Sequence, residues 1–229
     1  MSTVLVTGAN RGIGLEFVRQ YVSDGAKVIA CARDPKGADD LKQLANERSQ
    51  VQIQTLDTSD FKACAALGKQ LAHEAIDILI NNAGTYGPKR QSAGDMDFEG
   101  WAYTFAVNTM GPLALSQALH DNLKRGRDKK LITITSGMAS TATTEGGALA
   151  YRASKAAVNN VMRNLSVDWR KDGIIVAVLS PGWVRTDMGG AGAPLAPDAS
   201  VAGLRNVIAR LRPAASGRFF SHDGSPIPW

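Results

Sequence analysis

The sequence predicts an α/β fold in which one doubly wound parallel sheet of about seven strands carries helices on both faces. Two observations lead to this prediction. Short runs rich in β-branched residues alternate with longer segments of helical periodicity along the whole chain. Most of the short runs are almost continuously apolar, as expected for strands buried on both faces of a parallel sheet. The length of 229 residues suits one domain, which we expect to span 1–229.

The predicted elements alternate strictly in chain order, which gives right-handed strand–helix–strand units. Strands are expected at 3–7, 27–31, 51–55, 77–81, 130–135, 174–179 and 218–221. Helices are expected at 12–24, 36–48, 61–73, 98–123, 151–171 and 199–210. The stretch G-G-A-G-A-P-L-A-P at 189–197 is short, so it predicts a loop and not a domain boundary.

Composition excludes several classes of protein. The apolar fraction of 44% and the charged fraction of 21% are typical of a soluble globular protein. The first residues show neither a basic leader nor a long apolar span, so we expect no signal peptide and no membrane association. Cys31 and Cys64 have no paired spacing, which favours a reducing compartment and a cytoplasmic location.

The charged residues and the histidines indicate neither a nucleic-acid partner nor a metal ion. The net charge of +5 suits an anionic ligand, but the basic run at 124–130 has no interleaved aromatic residues, so no nucleic-acid partner is expected. His73, His120 and His222 show no ligand spacing with each other or with the cysteines, so no metal site is predicted. A small molecule is the expected partner.

A glycine-rich turn joins the first predicted strand to the first helix. The sequence T-G-A-N-R-G-I-G places glycines at 8, 12 and 14, which permit a tight turn and a close approach of the backbone to a pyrophosphate. The free N–H groups of the helix N-terminus would then face that anion. In this strand–turn–helix context the pattern predicts a Rossmann-type dinucleotide site. Its spacing is G-x-x-x-G-x-G, not the commoner G-x-G-x-x-G.

Further motifs follow at the ends of the later strands. Asp57 and Thr58 follow the third strand, N-N-A-G ends the fourth, and I-T-I-T-S-G ends the fifth. A-Y-R-A-S-K opens the helix at 151, and P-G-W-V-R-T follows the sixth strand. With the glycine spacing and Asn108 in F-A-V-N-T, this series resembles the short-chain dehydrogenase/reductase family. The tail F-F-S-H-D-G-S-P-I-P-W and the short chain are similar to the C-factor and sniffer-type carbonyl reductase branch of that family.

The resemblance implies both a cofactor site and a catalytic set. The implied cofactor-binding residues are Gly8, Asn10, Arg11, Gly12, Ile13, Gly14, Arg33, Asp57, Thr58, Asn82, Ala83, Gly84, Tyr151, Lys155, Pro181, Gly182, Val184 and Thr186. The implied catalytic residues are Asn108, Ser136, Tyr151 and Lys155.

Tyr151 and Lys155 are four residues apart, so they would lie on the same face of a helix. The resemblance implies that Tyr151 is the general acid in reduction and the base in oxidation, and that Lys155 bonds the nicotinamide ribose. A cation one helical turn away favours the phenolate, so we expect Lys155 to lower the pKa of Tyr151 from about 10. Ser136 would hold the substrate oxygen and Asn108 a water that connects Lys155 to solvent. Ser140 is a weaker candidate for the serine role.

The end of the second strand bears on the choice of nicotinamide. NAD-specific relatives carry an acid where this chain has Ala32, and Arg33 follows it. An arginine there suits the 2′-phosphate of NADP, which it binds by charge and by planar geometry. Arg11 would face the same phosphate, whereas Asp34 is a contrary signal if it turns inward. We therefore expect NADP(H) to be preferred, with NAD(H) as the alternative.

The functional prediction is hydride transfer between NADP(H) and a carbonyl or alcohol. Two alternatives stay open: a nucleotide-binding signalling or regulatory protein of C-factor type with little or no turnover, and an epimerase or dehydratase of the extended branch. The second needs a C-terminal substrate domain, for which few residues follow the sixth strand. The 189–197 loop and its flanks are expected to select the substrate. Tyr86, Met138, Trp183 and Met188 are candidates for the pocket wall, each equally consistent with core or lid packing.

Relatives often form homodimers or homotetramers through two long helices, which correspond here to 98–123 and 151–171. Small residues at Ala153, Ala156 and Ala157 would permit such packing, and would equally permit packing on the chain's own sheet.

Overall fold

All seven predicted strands form and lie parallel in one sheet, in the order β3-β2-β1-β4-β5-β6-β7. The computed structural model describes residues 1–229. The strands are β1 (Thr3–Thr7), β2 (Lys27–Ala32), β3 (Val51–Thr55), β4 (Ile78–Asn81), β5 (Lys130–Ile134), β6 (Ile175–Ser180) and β7 (Arg218–Ser221). The chain reverses its direction across the sheet between β1 and β4, which opens a crevice at the carboxyl ends of these two strands.

Eight α-helices cover the two faces of the sheet. They are α1 (Gly12–Ser23), α2 (Asp39–Glu47), α3 (Phe61–Gln70), α4 (Phe98–Phe105), α5 (Gly111–Ala118), α6 (His120–Arg125), α7 (Leu149–Asp168) and α8 (Pro197–Arg210). One core cluster of 26 buried residues packs α1, α2 and α8 on the first face, and one of 20 packs α3, α5, α6 and α7 on the second. Within β1, Val4 and Val6 belong to the first cluster and Leu5 to the second. The fold class is confirmed.

The single helix predicted at 98–123 is wrong, because the chain divides there into α4, a π-helical turn at Ala106–Met110, α5 and α6. Pro112 has no N–H and cannot donate to the carbonyl of Asn108 four residues earlier. The N–H of Gly111 instead donates to the carbonyl of Ala106, five residues earlier, which widens the turn. Asn108 therefore lies in the wide turn.

Other helix ends differ from prediction by one to three residues. The helix predicted at 151–171 begins at Leu149 and ends at Asp168, and that predicted at 36–48 begins at Asp39. The last helix begins at Pro197 instead of at 199, because proline fits the first turn, where its missing N–H has no helical acceptor. No helix has the length and apolar character needed to cross a bilayer.

Candidate active site

A cleft of about 860 Å³ lies at the carboxyl edge of the sheet, where the strand order reverses. Sixteen of the predicted site residues line it: Gly8, Asn10, Arg11, Gly12, Ile13, Gly14, Arg33, Asp57, Thr58, Asn82, Ala83, Gly84, Tyr151, Lys155, Pro181 and Thr186. Asn108, Ser136, Gly182 and Val184 do not belong to its lining. The fold thus brings together segments from six strand ends.

The glycine turn is built so closely that side chains would not fit. Gly8 and Gly12 adopt positive φ angles of 64° and 54°. A Cβ at Gly14 would lie 2.1 Å from the carbonyl oxygen of Gly8, and a Cβ at Gly8 would lie 2.9 Å from the Cα of Ala83. The turn therefore presents bare backbone to the cleft, as the binding of a pyrophosphate requires.

The N-N-A-G motif holds this turn in place from the neighbouring strand. The hydroxyl oxygen of Thr7 accepts hydrogen bonds from the N–H groups of Asn82 and Ala83, each at 3.0 Å. The side-chain amide of Asn82 donates to the carbonyl of Thr7 at 2.9 Å. These bonds join the ends of β1 and β4, so the motif fixes the floor of the cleft.

Asn108 acts on the next segment of the same loop. Its side-chain oxygen accepts from the N–H of Thr85 at 2.9 Å, and its amide donates to the carbonyl of Thr85 at 2.8 Å and to the hydroxyl of Ser154 at 3.0 Å. The side chain is fully buried and engaged, so it positions the loop after β4. The group left for the expected water relay is the backbone carbonyl, to which Pro112 cannot donate.

Tyr151 and Lys155 lie one turn apart on α7, with the ammonium 6.0 Å from the ring centroid. Lys155 is buried and donates to the carbonyl of Ile134 at 2.9 Å. Burial lowers the pKa of Lys155 to about 8. Burial also raises the pKa of Tyr151; the Ser136 side chain opposes this shift, and Tyr86 adds to it.

The expected net lowering of the Tyr151 pKa is therefore wrong, because burial raises this pKa above its ordinary value. Both groups are withdrawn from water, and desolvation disfavours the charged form of each. The raised pKa keeps Tyr151 protonated at neutral pH, and a protonated phenol is the form that can donate a proton.

The two candidate serines have different surroundings. Ser136 follows β5 directly, and its hydroxyl oxygen accepts the N–H of Met138 at 3.2 Å beside Tyr151. Ser140 is buried, and its hydroxyl faces the carbonyl of Trp229 at 3.5 Å. The structure thus favours Ser136 over Ser140 for contact with a substrate oxygen.

Arg33 lines the cleft directly after the end of β2. Its guanidinium donates to the hydroxyl of Tyr103 at 3.1 Å and has no carboxylate partner. The neighbouring Asp34 is engaged in a local turn, where its carboxylate accepts the N–H of Lys36 at 3.1 Å. The buried Ala32 offers no acid to this end of the cleft. Sequence reasoning missed Tyr103, because nothing in the helical pattern showed that it reaches Arg33.

Two further arginines of the lining are paired with carboxylates. Arg11 in the glycine turn forms an ion pair with Asp187, which follows Thr186 in the P-G-W-V-R-T-D segment. Arg19 on α1 lies 3.4 Å from a carboxylate oxygen of Asp40. Arg11 therefore connects two walls of the cleft, a contact that no local sequence signal indicated.

Three candidates for the pocket wall, Tyr86, Trp183 and Met188, have exposed side chains. The ring of Tyr86 stacks on Tyr151 with centroids 4.8 Å apart, and Met188 belongs to the cleft lining. Trp183 is 61% exposed, and its indole N–H donates to the carbonyl of Gly189 at 2.8 Å. Tyr86 thus presents an exposed aromatic ring beside the phenol, as a site for a small organic molecule requires.

The 189–197 loop folds back on the segment before it. Arg185 donates its N–H to the carbonyl of Leu195 at 2.9 Å, and Val184, which is buried, forms a parallel bridge with Leu195. Of the loop itself only Pro197 lines the cleft, together with Met188 and the three residues before it. Any effect of the loop on substrate choice would therefore pass through its two ends.

The comparisons with known proteins agree with this geometry. The family described as short chain dehydrogenase matches residues 2–193. The chain is 45% identical over 155 residues to a protein named C-signal from Myxococcus xanthus, which covers 67% of this chain and 93% of that protein.

Two solved structures are similar over the full chain. The NADPH-bound carbonyl reductase from chicken fatty liver superimposes with a TM-score of 0.93 at 34% identity and covers 100% of this chain and 99% of its own. The carbonyl reductase Sniffer of D. melanogaster has a TM-score of 0.94 at 31% identity and covers 100% of both chains.

Proposed function

The chain belongs to the short chain dehydrogenase family and is an oxidoreductase of that family, and on this premise we propose that it transfers hydride between NADP(H) and a carbonyl or alcohol. The observation that carries the proposal is the position of Tyr151. Its buried phenol lines the cleft with the Lys155 ammonium on the same helix face and Ser136 beside it. No purely nucleotide-binding role needs a buried proton donor at this place.

Reduction of a carbonyl requires a hydride at carbon and a proton at oxygen. NADPH supplies the hydride when bound. The chain supplies the rest: Ser136 orients the substrate oxygen, and Tyr151 donates the proton to it. Lys155, with its pKa near 8, is mostly charged at neutral pH and stabilises the phenolate that proton donation leaves. Asn108 fixes the loop that carries Gly84 and Thr85, and Gly84 lies next to the Lys155 ammonium.

The preference for NADP(H) rests on the adenosine end of the cleft. Arg33 has no carboxylate partner, so its charge is available to a 2′-phosphate, whereas Ala32 cannot bind ribose hydroxyls as an acid would. The chicken carbonyl reductase, which is similar over the whole chain, was solved with NADPH bound. The comparison and the charge distribution support the same cofactor.

A coupled assay with NADPH and NADH across aldehydes and ketones tests the proposal. Tyr151→Phe removes one hydroxyl and keeps the packed ring, so we expect turnover to fall about 10²–10⁴-fold while the NADPH dissociation constant stays nearly unchanged. Tyr21→Phe is the matched control, because Tyr21 and Tyr151 are both 8% exposed and Tyr21 lies outside the cleft. Reduction by Tyr151→Phe at the parent rate would overturn the proposed role.

The same assay separates this proposal from the signalling alternative. A signalling protein of the C-factor type would bind nucleotide with little turnover of any carbonyl, and Tyr151→Phe would change nothing measured as rate. The extended-branch alternative predicts epimerised or dehydrated products in place of net consumption of NADPH.

We also propose that the chain forms a homodimer or homotetramer through α7 and the helical segment at 98–123, which comprises α4, α5 and most of α6. Ala153, Ala156 and Ala157 are only half-buried in the single chain, so that stripe has room to pack against a copy. Sedimentation of the wild type and of Ala157→Glu tests this proposal. The wild type should sediment as an oligomer and the variant as a smaller species, and equal masses of the two would refute the proposed interface.

A further inference from the structure

The last five residues form a structure of their own along the edge of the sheet. After β7 the chain turns at Asp223, whose carboxylate accepts the N–H of Ser225 at 2.9 Å. The tail then returns antiparallel to β7: Ser221 donates its N–H to the carbonyl of Ser225 at 2.8 Å, and Ile227 donates to that of Phe219 at 2.9 Å. The tail ends above the second core cluster.

The indole of Trp229 anchors this tail. The ring is half-buried against the second core cluster, and its centroid lies 5.8 Å from that of Phe219. The guanidinium of Arg163 on α7 lies over the same indole, 4.9 Å from its ring centroid. Cation–π contacts of this kind add to the stabilisation that burial of the ring provides.

The main-chain oxygen of Trp229 reaches the segment that follows Ser136. It accepts the N–H of Ala142 at 3.0 Å and the hydroxyls of Thr141 at 3.2 Å and of Ser140 at 3.5 Å. Three donors from three consecutive residues therefore converge on one oxygen, which makes this contact specific in position.

A short 3₁₀ turn, Gly137–Ala139, connects that contact to Ser136. Ala139 donates its N–H to the carbonyl of Ser136 at 2.9 Å, and Ser140 donates to that of Gly137 at 3.1 Å. Beyond Ala142 the chain is exposed, and Gly146 and Gly147 have positive φ angles. The contact with Trp229 thus separates a hydrogen-bonded turn at Ser136 from an exposed stretch with few internal restraints.

We propose that Trp229 is a positioning residue for the substrate side of the active site: by holding Ser140–Ala142 it fixes the turn that carries Ser136 and the wall beside Tyr151. The inference rests on the proposed carbonyl reduction for its kinetic part only. No tail residue lines the cofactor cleft, so the tail acts on the substrate and not on the nicotinamide nucleotide.

Hydrogen–deuterium exchange tests the structural half without any activity. In Trp229→Ala we expect the backbone amides of 140–148 to exchange faster, while those of the glycine turn keep their parent rates. Trp169→Ala is the matched control, because Trp169 is also half-buried against the second core cluster and contacts His120 instead of the tail. Trp229→Phe keeps an aromatic ring and should restore most of the protection.

Steady-state kinetics tests the functional half. We expect Trp229→Ala to lower kcat/KM for carbonyls about tenfold, mostly through KM, because small displacements of positioning groups are costly, while the NADPH dissociation constant is unchanged. Trp229→Phe should recover the parent KM, and Trp169→Ala should leave it unaltered.

The outcomes separate the two proposals. Equal exchange and equal KM in Trp229→Ala and Trp169→Ala would overturn the positioning role and leave the tail as ordinary core packing. A wild type that turns over no carbonyl would defeat the proposed function, while faster exchange confined to 140–148 in Trp229→Ala would still establish the anchor.

Discussion

The two ends of the cleft are built by different means. At the cofactor end the contacts are mainly between backbone atoms. Glycines occupy positions where a Cβ would collide with neighbouring backbone, and hydrogen bonds between Thr7 and Asn82 connect the ends of β1 and β4. At the substrate end the contacts run through exposed side chains: Tyr86 stacks on Tyr151, and Trp183 donates a hydrogen bond to the carbonyl of Gly189.

The difference shows where the chain tolerates change. The cofactor end binds a part of the ligand that is the same for every substrate, so its shape is set by close backbone packing, which has few alternatives. The substrate end depends on loops whose anchoring contacts are individually weak, and substitutions there should alter substrate preference before they alter the fold. The following predictions test this contrast, from the largest expected effect to the smallest.

Gly14→Ala should damage the cofactor end most. The added Cβ would lie 2.1 Å from the Gly8 carbonyl oxygen, so backbone must move. We expect the free energy of unfolding to fall by about 1–3 kcal/mol and NADPH binding to weaken with it. Chemical denaturation and fluorescence titration measure the two effects. Gly94→Ala, where a Cβ meets nothing within 4 Å, is the control. Equal stability of both variants would show that the turn is not tightly packed.

Arg33→Ala should change the choice between cofactors. Loss of a charged hydrogen bond to the 2′-phosphate should cost about 1.5–3 kcal/mol for NADPH and little for NADH. Calorimetric titration with both nucleotides gives the ratio of the affinities. Arg19→Ala removes an arginine that is already paired with Asp40 and serves for comparison. An NADPH/NADH ratio that does not move in Arg33→Ala would exclude Arg33 as the determinant.

NADPH affinity should depend on the protonation of Lys155. Burial lowers the pKa of this lysine to about 8, so it is charged below that pH and neutral above it. The negative cofactor favours the charged form, and affinity should therefore be highest below pH 8 and fall as pH rises through about 8, by up to about tenfold. Lys155→Met should flatten the profile. A wild-type profile with no inflection there would contradict the assignment.

Asp187→Asn should have the smallest effect and the opposite sign. Asp187 pairs with Arg11 across the cleft, and both side chains are largely exposed, so the pair is weak. Its removal frees Arg11 for phosphate, and NADPH affinity should rise by at most about fivefold. In an Arg11→Gln background the same substitution should do nothing. A gain that persists there would mean that Asp187 acts by general charge and not through Arg11.

The sequence by itself determined the parallel sheet, all seven strands and the glycine turn. Continuous apolar runs indicate strands that are buried on both faces of a sheet. Glycines between a strand and a helix indicate a tight turn that lets the backbone approach a pyrophosphate. Both features follow from local sequence. Sixteen predicted residues met in one cleft because the carboxyl ends of parallel strands share an edge of the sheet.

Only the tertiary structure decided the rest. The raised pKa of Tyr151 depends on its burial in the folded chain. The contacts from Arg33 to Tyr103 and from Trp229 to Thr141 join residues that are 70 and 88 positions apart. Burial and long-range contacts are properties of the packed whole, because each is set by elements that approach one another only after the chain has folded.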